Sequence, residues 1–212
     1  MLTAEKTHLL LTREDGRSES PSHHGVALAA AALADYRAAG IVTVEDAPVD
    51  RARVLVTAAG VTGHPVLDAG LRKVDALAGT PVTAAVAAGR PNLRKAVIAR
   101  LTETGDLAEH KAFMATRHLP RGGTRAELLD RLTAVVLDER EATDEDVLLL
   151  GVLQHLNLAW RLLPGTHERY GRRELVRRVE SLTRSDLLVQ AMRRAVGGTA
   201  AAITAAAAGS LA

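Results

Sequence analysis

The chain has 212 residues, 47% of them hydrophobic, a formal net charge of +2 and no cysteine. This length and apolar content suit one sizeable domain, and the absence of cysteine excludes disulfides and thiolate metal sites. No apolar run approaches the roughly 18 residues of a membrane-spanning helix, and Leu9–Leu11 is too short for a signal peptide. We therefore expect a cytosolic protein.

The first predicted helix covers His23–Arg37. This segment is rich in alanine and other strong helix formers, and it stops at Gly40. Its composition is typical of a tightly packed core helix. Two short β-branched runs follow, Ile41–Val44 and Val54–Thr57, and they predict a hairpin or two edge strands.

Three further helices are predicted before the middle of the chain. One runs over Pro65–Leu77, where apolar residues recur at helical spacing. An alanine-rich helix begins near Pro81. The third covers Asn92–Thr104, with Asn92 as its N-cap and Gly105 directly after its end.

The middle of the chain is less regular. Leu107–Pro120 has mixed signals and is interpreted as a loop or a hairpin. Thr124 and Glu127 match the capping-box pattern, in which a hydroxyl and a carboxylate three residues later satisfy helix N–H groups. They predict the start of an amphipathic helix that ends near Leu137.

The last third is predicted to be helical. A long apolar helix with acids in its first turn should run from Thr143 to Leu163 and end at Pro164. Helices are then predicted over Arg172–Leu182 and Asp186–Val196. Low-complexity alanine dominates the remainder, residues 199–212.

The common signatures of enzymes are absent. The sequence has no Walker A loop, no strand-linked dinucleotide-binding glycine motif, no nucleophile-elbow serine and no HExxH zinc motif. Among the histidines, His23 and His24 are adjacent and so point to different helix faces, and His110 and His118 flank a predicted turn. We therefore predict no enzyme activity, no metal site and no cofactor.

A cluster of cations lies at the predicted start of the helix over residues 92–104. It consists of Arg90, Arg94 and Lys95. Unpaired backbone N–H groups and the helix dipole favour an anion at such a position. A bound phosphate group is one interpretation of this cluster, and ordinary surface charge is the other.

A second basic segment lies near the C-terminus, where Arg172, Arg173, Arg177 and Arg178 spread around the polar face of a predicted helix. Such a face is usually solvated. It would also attract anionic lipid or nucleic acid.

Several stretches, in the same order along the chain, resemble the Golgi phosphoprotein 3 family. The residues Thr62–Asp68 resemble the family's T-G-x-x-L-L-D-E element, and His8–Leu11 with Asp15 and Gly16 resembles its leucine-rich opening. The family's later elements are matched by the segments Ala29–Val44, Asn92–Leu107 and His118–Pro120 with the helix that follows. The resemblance spans about residues 5 to 200, and the skewed composition is similar to that of a bacterial member.

The resemblance implies a mainly α fold: a single-domain helical bundle with amphipathic helices around it and a small β-hairpin. We expect residues 1–200 to form this domain and residues 201–212 to form an alanine-rich, disordered tail. It also implies a non-enzymatic protein that lies peripherally at a membrane surface. Members bind phosphatidylinositol 4-phosphate and hold the cytosolic tails of membrane proteins.

Carried over by position, the family's lipid pocket has its tryptophan at Ser20 or Pro21 and its arginines at Ala29, Pro91 and Arg94. Arg94 alone keeps the family's residue type. The other pocket positions lack the family's residue types. Phosphatidylinositol 4-phosphate and another anionic lipid therefore both stay open as the expected ligand.

The predicted lipid-binding residues are Arg94, Arg90 and Lys95. Phe113 and Met114 correspond to the apolar hairpin tip that enters the membrane, so they are the predicted membrane-contacting residues. Two alternatives stay open: a scaffold that acts through self-association or a protein tail, and a nucleic-acid-binding regulator. The near-absence of aromatic residues, 2% of the chain, argues against nucleic acid because base stacking uses aromatic side chains.

Overall fold

The computed structural model describes residues 1–57, 60–112 and 115–209. These residues form a mainly α-helical structure with two small antiparallel sheets, β1–β2 and β3–β4. The predicted fold class is confirmed. In chain order the elements are α1 (Thr3–Leu10), α2 (His24–Ala38), β1 (Val42–Val44), β2 (Val54–Val56), α3 (Pro65–Asp68), α4 (Leu71–Asp75), α5 (Val82–Ala87), α6 (Arg94–Glu103), β3 (Leu107–Ala112), β4 (Ala115–Pro120), α7 (Thr124–Val136), α8 (Asp144–His155), α9 (Ala159–Leu162), α10 (Arg172–Thr183) and α11 (Leu187–Gly209).

Helix α2 is the centre of the core. Its alanines, Ala27 and Ala29–Ala32, have no exposed surface. Because alanine side chains are small, neighbouring helices approach this one closely, and α1, α5 and α11 all pack against it. The predicted core helix is confirmed and ends one residue later than expected.

Helix α1 has no counterpart among the predicted elements. Its first two N–H groups, from Thr3 and Ala4, donate to the two carboxylate oxygens of Asp35 on α2, each at 2.8 Å. This cap is supplied by a residue about thirty positions away in the chain, so no local motif indicates it. The helix also buries the polar residues Glu5 and His8, which removes the usual apolar periodicity.

Two predicted helices are interrupted. The one predicted over residues 143–163 ends at His155, because Asn157 adopts a left-handed conformation with φ of 56° before α9 begins. The one predicted over residues 65–77 divides at Gly70 into α3 and α4. A β-carbon at Gly70 would lie 2.3 Å from Leu93 and 2.4 Å from the Tyr36 hydroxyl, so only glycine fits there.

The acids predicted in the first turn of α8 are present, and one of them takes part in its N-terminal cap. Thr143 and Asp146 form a reciprocal capping box at the start of α8. The predicted capping box at Thr124 is wrong, because Gly123 is the N-cap and the Thr124 hydroxyl donates to Asp106 at 2.8 Å instead. Helix α11 continues to Gly209, beyond the predicted end of the last helix at residue 196.

The two predicted strand regions form hairpins. β1 pairs with β2, with Val42 opposite Val56, and β3 pairs with β4, with Leu107 opposite Pro120. Phe113 and Met114, which link β3 to β4 in the chain, lie outside the described residues. None of the helices in the described part of the chain is long and apolar enough to cross a membrane.

Candidate functional site

The predicted cation cluster lies on the surface where the chain enters α6. The side chains of Arg90, Arg94 and Lys95 are exposed, and none forms an ion pair with a carboxylate among the described residues. The predicted N-cap, Asn92, lies one residue before the observed N-cap, Leu93. Asn92 still contributes, because its Oδ1 accepts the N–H of Arg94 at 3.2 Å.

The start of helix α2 lies beside the cation cluster. Gly89, just before the cluster, lies against the first turn of α2, and a β-carbon on it would be 3.5 Å from the Gly25 backbone. No side chain of the described residues caps the start of α2, and neither α2 nor α6 has an acidic residue in its first turn. Helix starts carry partial positive charge, so two of them add to the charge of the arginines.

Free backbone donors accompany this positive charge. The N–H groups of Gly25 and Val26 on α2, and of Lys95 and Ala96 on α6, have no acceptor among the described residues. Such groups bind phosphate and carboxylate oxygens readily. Two helix starts, two exposed arginines and one exposed lysine therefore form an anion-attracting surface, which we call the Arg94 surface.

Beneath this surface lies a pair of buried histidines. His8 and His24 are 3% and 2% exposed, and His8 Nδ1 lies 2.9 Å from His24 Nε2. Burial lowers the pKa of His8 to about 3, with smaller contributions from the charges of His24, Arg94 and His118. Burial and then the charge of Arg94 lower the pKa of His24 to about 4. Both rings are therefore neutral at neutral pH.

The second ring nitrogen of His24 reaches toward the surface. Its Nδ1 lies 2.8 Å from the hydroxyl of Ser18, and the same hydroxyl accepts the N–H of Ser20 at 3.2 Å. Ser18 and Ser20 are both half-buried. The sequence pattern does not indicate the link from Ser18 through His24 to His8, because these residues lie in the connecting loop, on α2 and on α1.

Strand β4 borders the same region. Gly16, in the loop before α2, packs against Arg117 and His118, with a hypothetical β-carbon 3.1 Å from atoms of both. The charge of His118 also acts on buried His8. The base of the β3–β4 hairpin therefore adjoins the histidine pair below the Arg94 surface.

The second basic segment is partly neutralised. Arg178 on α10 pairs with Asp138 and donates to the Val136 carbonyl. Arg172, Arg173 and Arg177 remain exposed. No group of three potential metal ligands occurs among the residues that the structure describes.

The model of one protein family matches residues 4–199, and that family is described as Golgi phosphoprotein 3 (GPP34). The chain belongs to the Golgi phosphoprotein 3 family. The predicted resemblance is thereby confirmed over nearly the whole chain. No curated protein matches the chain.

The pocket positions of the Golgi phosphoprotein 3 family fall in two different environments here. Ala29 has no exposed surface, and Pro91 is buried, so neither position presents a side chain to a ligand. Ser20 and Arg94 are accessible, and both adjoin His24: Ser20 through the Ser18 hydroxyl and Arg94 through its charge. Of the positions predicted for the pocket, the accessible ones therefore lie at or next to the Arg94 surface.

Proposed function

We propose that this protein is a non-enzymatic, cytoplasmic, peripheral membrane protein that binds the anionic headgroup of a phosphoinositide-like lipid, such as phosphatidylinositol 4-phosphate. Arg94 is the central ligand, and Arg90 and Lys95 add charge beside it. Membership of the Golgi phosphoprotein 3 family supports the general class of this function.

The meeting of two helix starts at an exposed arginine carries the proposal. Four N–H groups at the starts of α2 and α6 have no acceptor among the residues that the structure describes, and neither start has a first-turn carboxylate. A phosphate group with several oxygens satisfies such donors, whereas a neutral headgroup does not. The family has arginines at the positions of Ala29 and Pro91. In this protein Arg90, Lys95 and the start of α2 supply positive charge instead.

The hairpin gives the protein an orientation on the membrane. His118 on β4 adjoins the site, and the pairing of β3 with β4 extends to Ala112 and Ala115, the residues next to Phe113 and Met114 in the sequence. We propose that these two apolar residues enter the membrane while the Arg94 surface holds a headgroup.

Vesicle co-sedimentation at low salt tests the proposal. Wild-type protein should bind vesicles containing phosphatidylinositol 4-phosphate more tightly than neutral vesicles. Arg94→Glu should weaken binding about tenfold or more, because each basic residue near an anionic membrane contributes roughly 1 kcal/mol and the substitution reverses the charge. Arg172→Glu, an equal charge change at an exposed site on α10, is the matched control.

Two results would contradict the proposal. One is wild-type binding to anionic vesicles that equals binding to neutral vesicles. The other is an equal effect of Arg94→Glu and Arg172→Glu, since this would show a response to net charge rather than a site. Phosphatidylserine vesicles of equal charge separate headgroup recognition from general attraction.

A second candidate function is capture of a basic protein segment, such as a cytosolic tail of a membrane protein. A groove of about 470 Å³ between the start of α1, the end of α2 and the start of α8 is lined by Asp144 and Asp186 and also by Glu145, which pairs with Lys6 and Arg131. Asp144→Lys should abolish binding of an arginine-rich peptide, and Asp130→Lys, at an exposed position on α7, should not. Equal binding by both variants would exclude the groove.

A further inference from the structure

A line of polar groups leads inward from the Arg94 surface. It runs from the Ser18 hydroxyl to His24 at 2.8 Å and from His24 to His8 at 2.9 Å. The two rings are almost completely buried, but Ser18 is half-buried and keeps contact with solvent. Ser18 is therefore the surface end of an otherwise internal hydrogen-bonded chain.

The hydrogen bonds that link Ser18, His24 and His8 allow two arrangements of their hydrogen atoms. Each neutral histidine carries one N–H, so each link has one donor and one acceptor. In the inward arrangement, Ser18 donates to His24 Nδ1 and His24 Nε2–H donates to His8 Nδ1. In the outward arrangement, His8 Nδ1–H donates to His24 Nε2 and His24 Nδ1–H donates to Ser18.

The outward arrangement leaves the Ser18 hydroxyl hydrogen free. The Ser18 oxygen then accepts two hydrogen bonds, from His24 and from the N–H of Ser20 at 3.2 Å. With both lone pairs used, the hydroxyl hydrogen turns toward a further acceptor. Ser18 is half-buried and bonds to His24, and the charge of Arg94 acts on His24, so an anion held at the Arg94 surface is a suitable acceptor.

We propose that Ser18 is a binding residue for the anion, and that the His8–His24 pair fixes its hydroxyl as a donor to a phosphate oxygen. His8 and His24 are positioning residues in this scheme. The inference rests on the proposed function and deepens it. A phosphate oxygen is the recognised group whether a lipid headgroup or free phosphate carries it.

The neutral state of the histidines supports the scheme. A protonated ring would donate from both nitrogens, and no alternation of donors and acceptors would remain. Hydrogen bonds to a charged acceptor are stronger than those between neutral groups, so a phosphate selects the outward arrangement.

Binding by four proteins tests the role of Ser18: wild type, Ser18→Ala, Ser18→Thr and Ser22→Ala. Ser22 is an exposed serine in the same loop and serves as the matched control. Ser18→Ala should weaken binding to phosphatidylinositol 4-phosphate vesicles about tenfold, as expected for loss of one hydrogen bond to a charged group. Ser18→Thr keeps the hydroxyl and should restore binding, and Ser22→Ala should bind like wild type.

Inorganic phosphate and a soluble inositol bisphosphate, titrated separately, distinguish a free anion from a lipid headgroup. Tighter binding of the inositol bisphosphate assigns the lipid headgroup, and tighter binding of inorganic phosphate assigns the free anion. In either case the better probe should show the same loss in Ser18→Ala.

Long-range ¹H–¹⁵N NMR spectra of the histidine rings report the arrangement itself. With the inositol bisphosphate bound, His24 should carry its hydrogen on Nδ1, and His8 should do the same. A His24 hydrogen on Nε2 in the bound state would overturn the inference. A purely structural role for Ser18 would change stability without changing this tautomer on binding.

The outcomes also separate this inference from the proposed function. If Arg94→Glu loses binding but Ser18→Ala binds like wild type, the role of Ser18 is excluded and the proposed function stands. If the wild-type protein binds neither anionic vesicles nor the soluble anions, both are overturned. Thermal unfolding of Ser18→Ala and Ser18→Thr shows whether each variant is folded.

Discussion

Acid should destabilise this protein through its two buried histidines. His8 and His24 have pKa values near 3 and 4 in the folded state, below the ordinary value of 6.5 that they regain on unfolding. The unfolded chain therefore binds more protons, so their contribution is fully present above about pH 6.5 and is lost as the pH falls toward the folded values.

The size of the effect follows from these values. At about pH 5.5 each histidine favours the unfolded state by roughly 1.4 kcal/mol, and the pair by roughly 3 kcal/mol. Urea unfolding of the wild-type protein and of His8→Gln at about pH 7.5 and about pH 5.5 measures how the free energy of unfolding changes with pH. Carboxylates change both proteins alike, so the difference in pH dependence isolates His8.

His8→Gln should lose roughly half of the pair's acid sensitivity. His110→Gln, which alters an exposed histidine on β3, is the matched control and should keep the wild-type pH dependence. The reasoning is refuted if His8→Gln and His110→Gln show the same pH dependence as wild type. That result would mean that burial does not keep the His8 ring neutral.

Two further predictions concern packing and capping. Gly151→Ala on α8 should lower the free energy of unfolding by about 1–3 kcal/mol, because its β-carbon would lie 2.6 Å from Val189 on α11. Gly197→Ala, on an exposed part of α11 with open space around it, should be neutral or slightly stabilising, and equal urea midpoints for the two variants would contradict the packing argument. Asp35→Asn should cost about 1–3 kcal/mol, because its amide cannot accept the N–H groups of both Thr3 and Ala4. A wild-type urea midpoint for Asp35→Asn would show that this cap is not stabilising.

Local sequence patterns predict the elements that are held together locally. The alanine-rich α2, the acidic first turn of α8 and the amphipathic α10 all follow from spacing and propensity. Their signals lie within a few residues of each other. The hairpin over residues 107–120 is one of two structures that its mixed pattern allows.

The errors arise where distant residues decide the local structure. Helix α1 depends on the Asp35 carboxylate of α2, and Gly70, where the predicted helix divides, has no room for a side chain beside Tyr36 and Leu93. The Thr124 hydroxyl bonds Asp106 rather than its own helix. None of these partners is visible in a short window of sequence.

Some residues of the candidate site can be identified from the local sequence, and others cannot. The cluster of Arg90, Arg94 and Lys95 is contiguous and is identified from the sequence. The start of α2, the buried histidines and Ser18 join it only through tertiary packing. One local signal is present: His8 directly precedes the apolar run Leu9–Leu11, and a polar side chain buried beside such a run needs a hydrogen-bond partner.

Backbone amide NMR during titration with a soluble inositol bisphosphate tests the central claim most directly. The proposed site predicts that the largest shifts appear at both helix starts together, at Gly25 and Val26 on α2 and at Lys95 and Ala96 on α6. Arg94→Glu should remove them. Shifts confined to the Arg172–Arg177 region, or no shifts at millimolar ligand, would contradict the claim that two helix starts and Arg94 form the anion site.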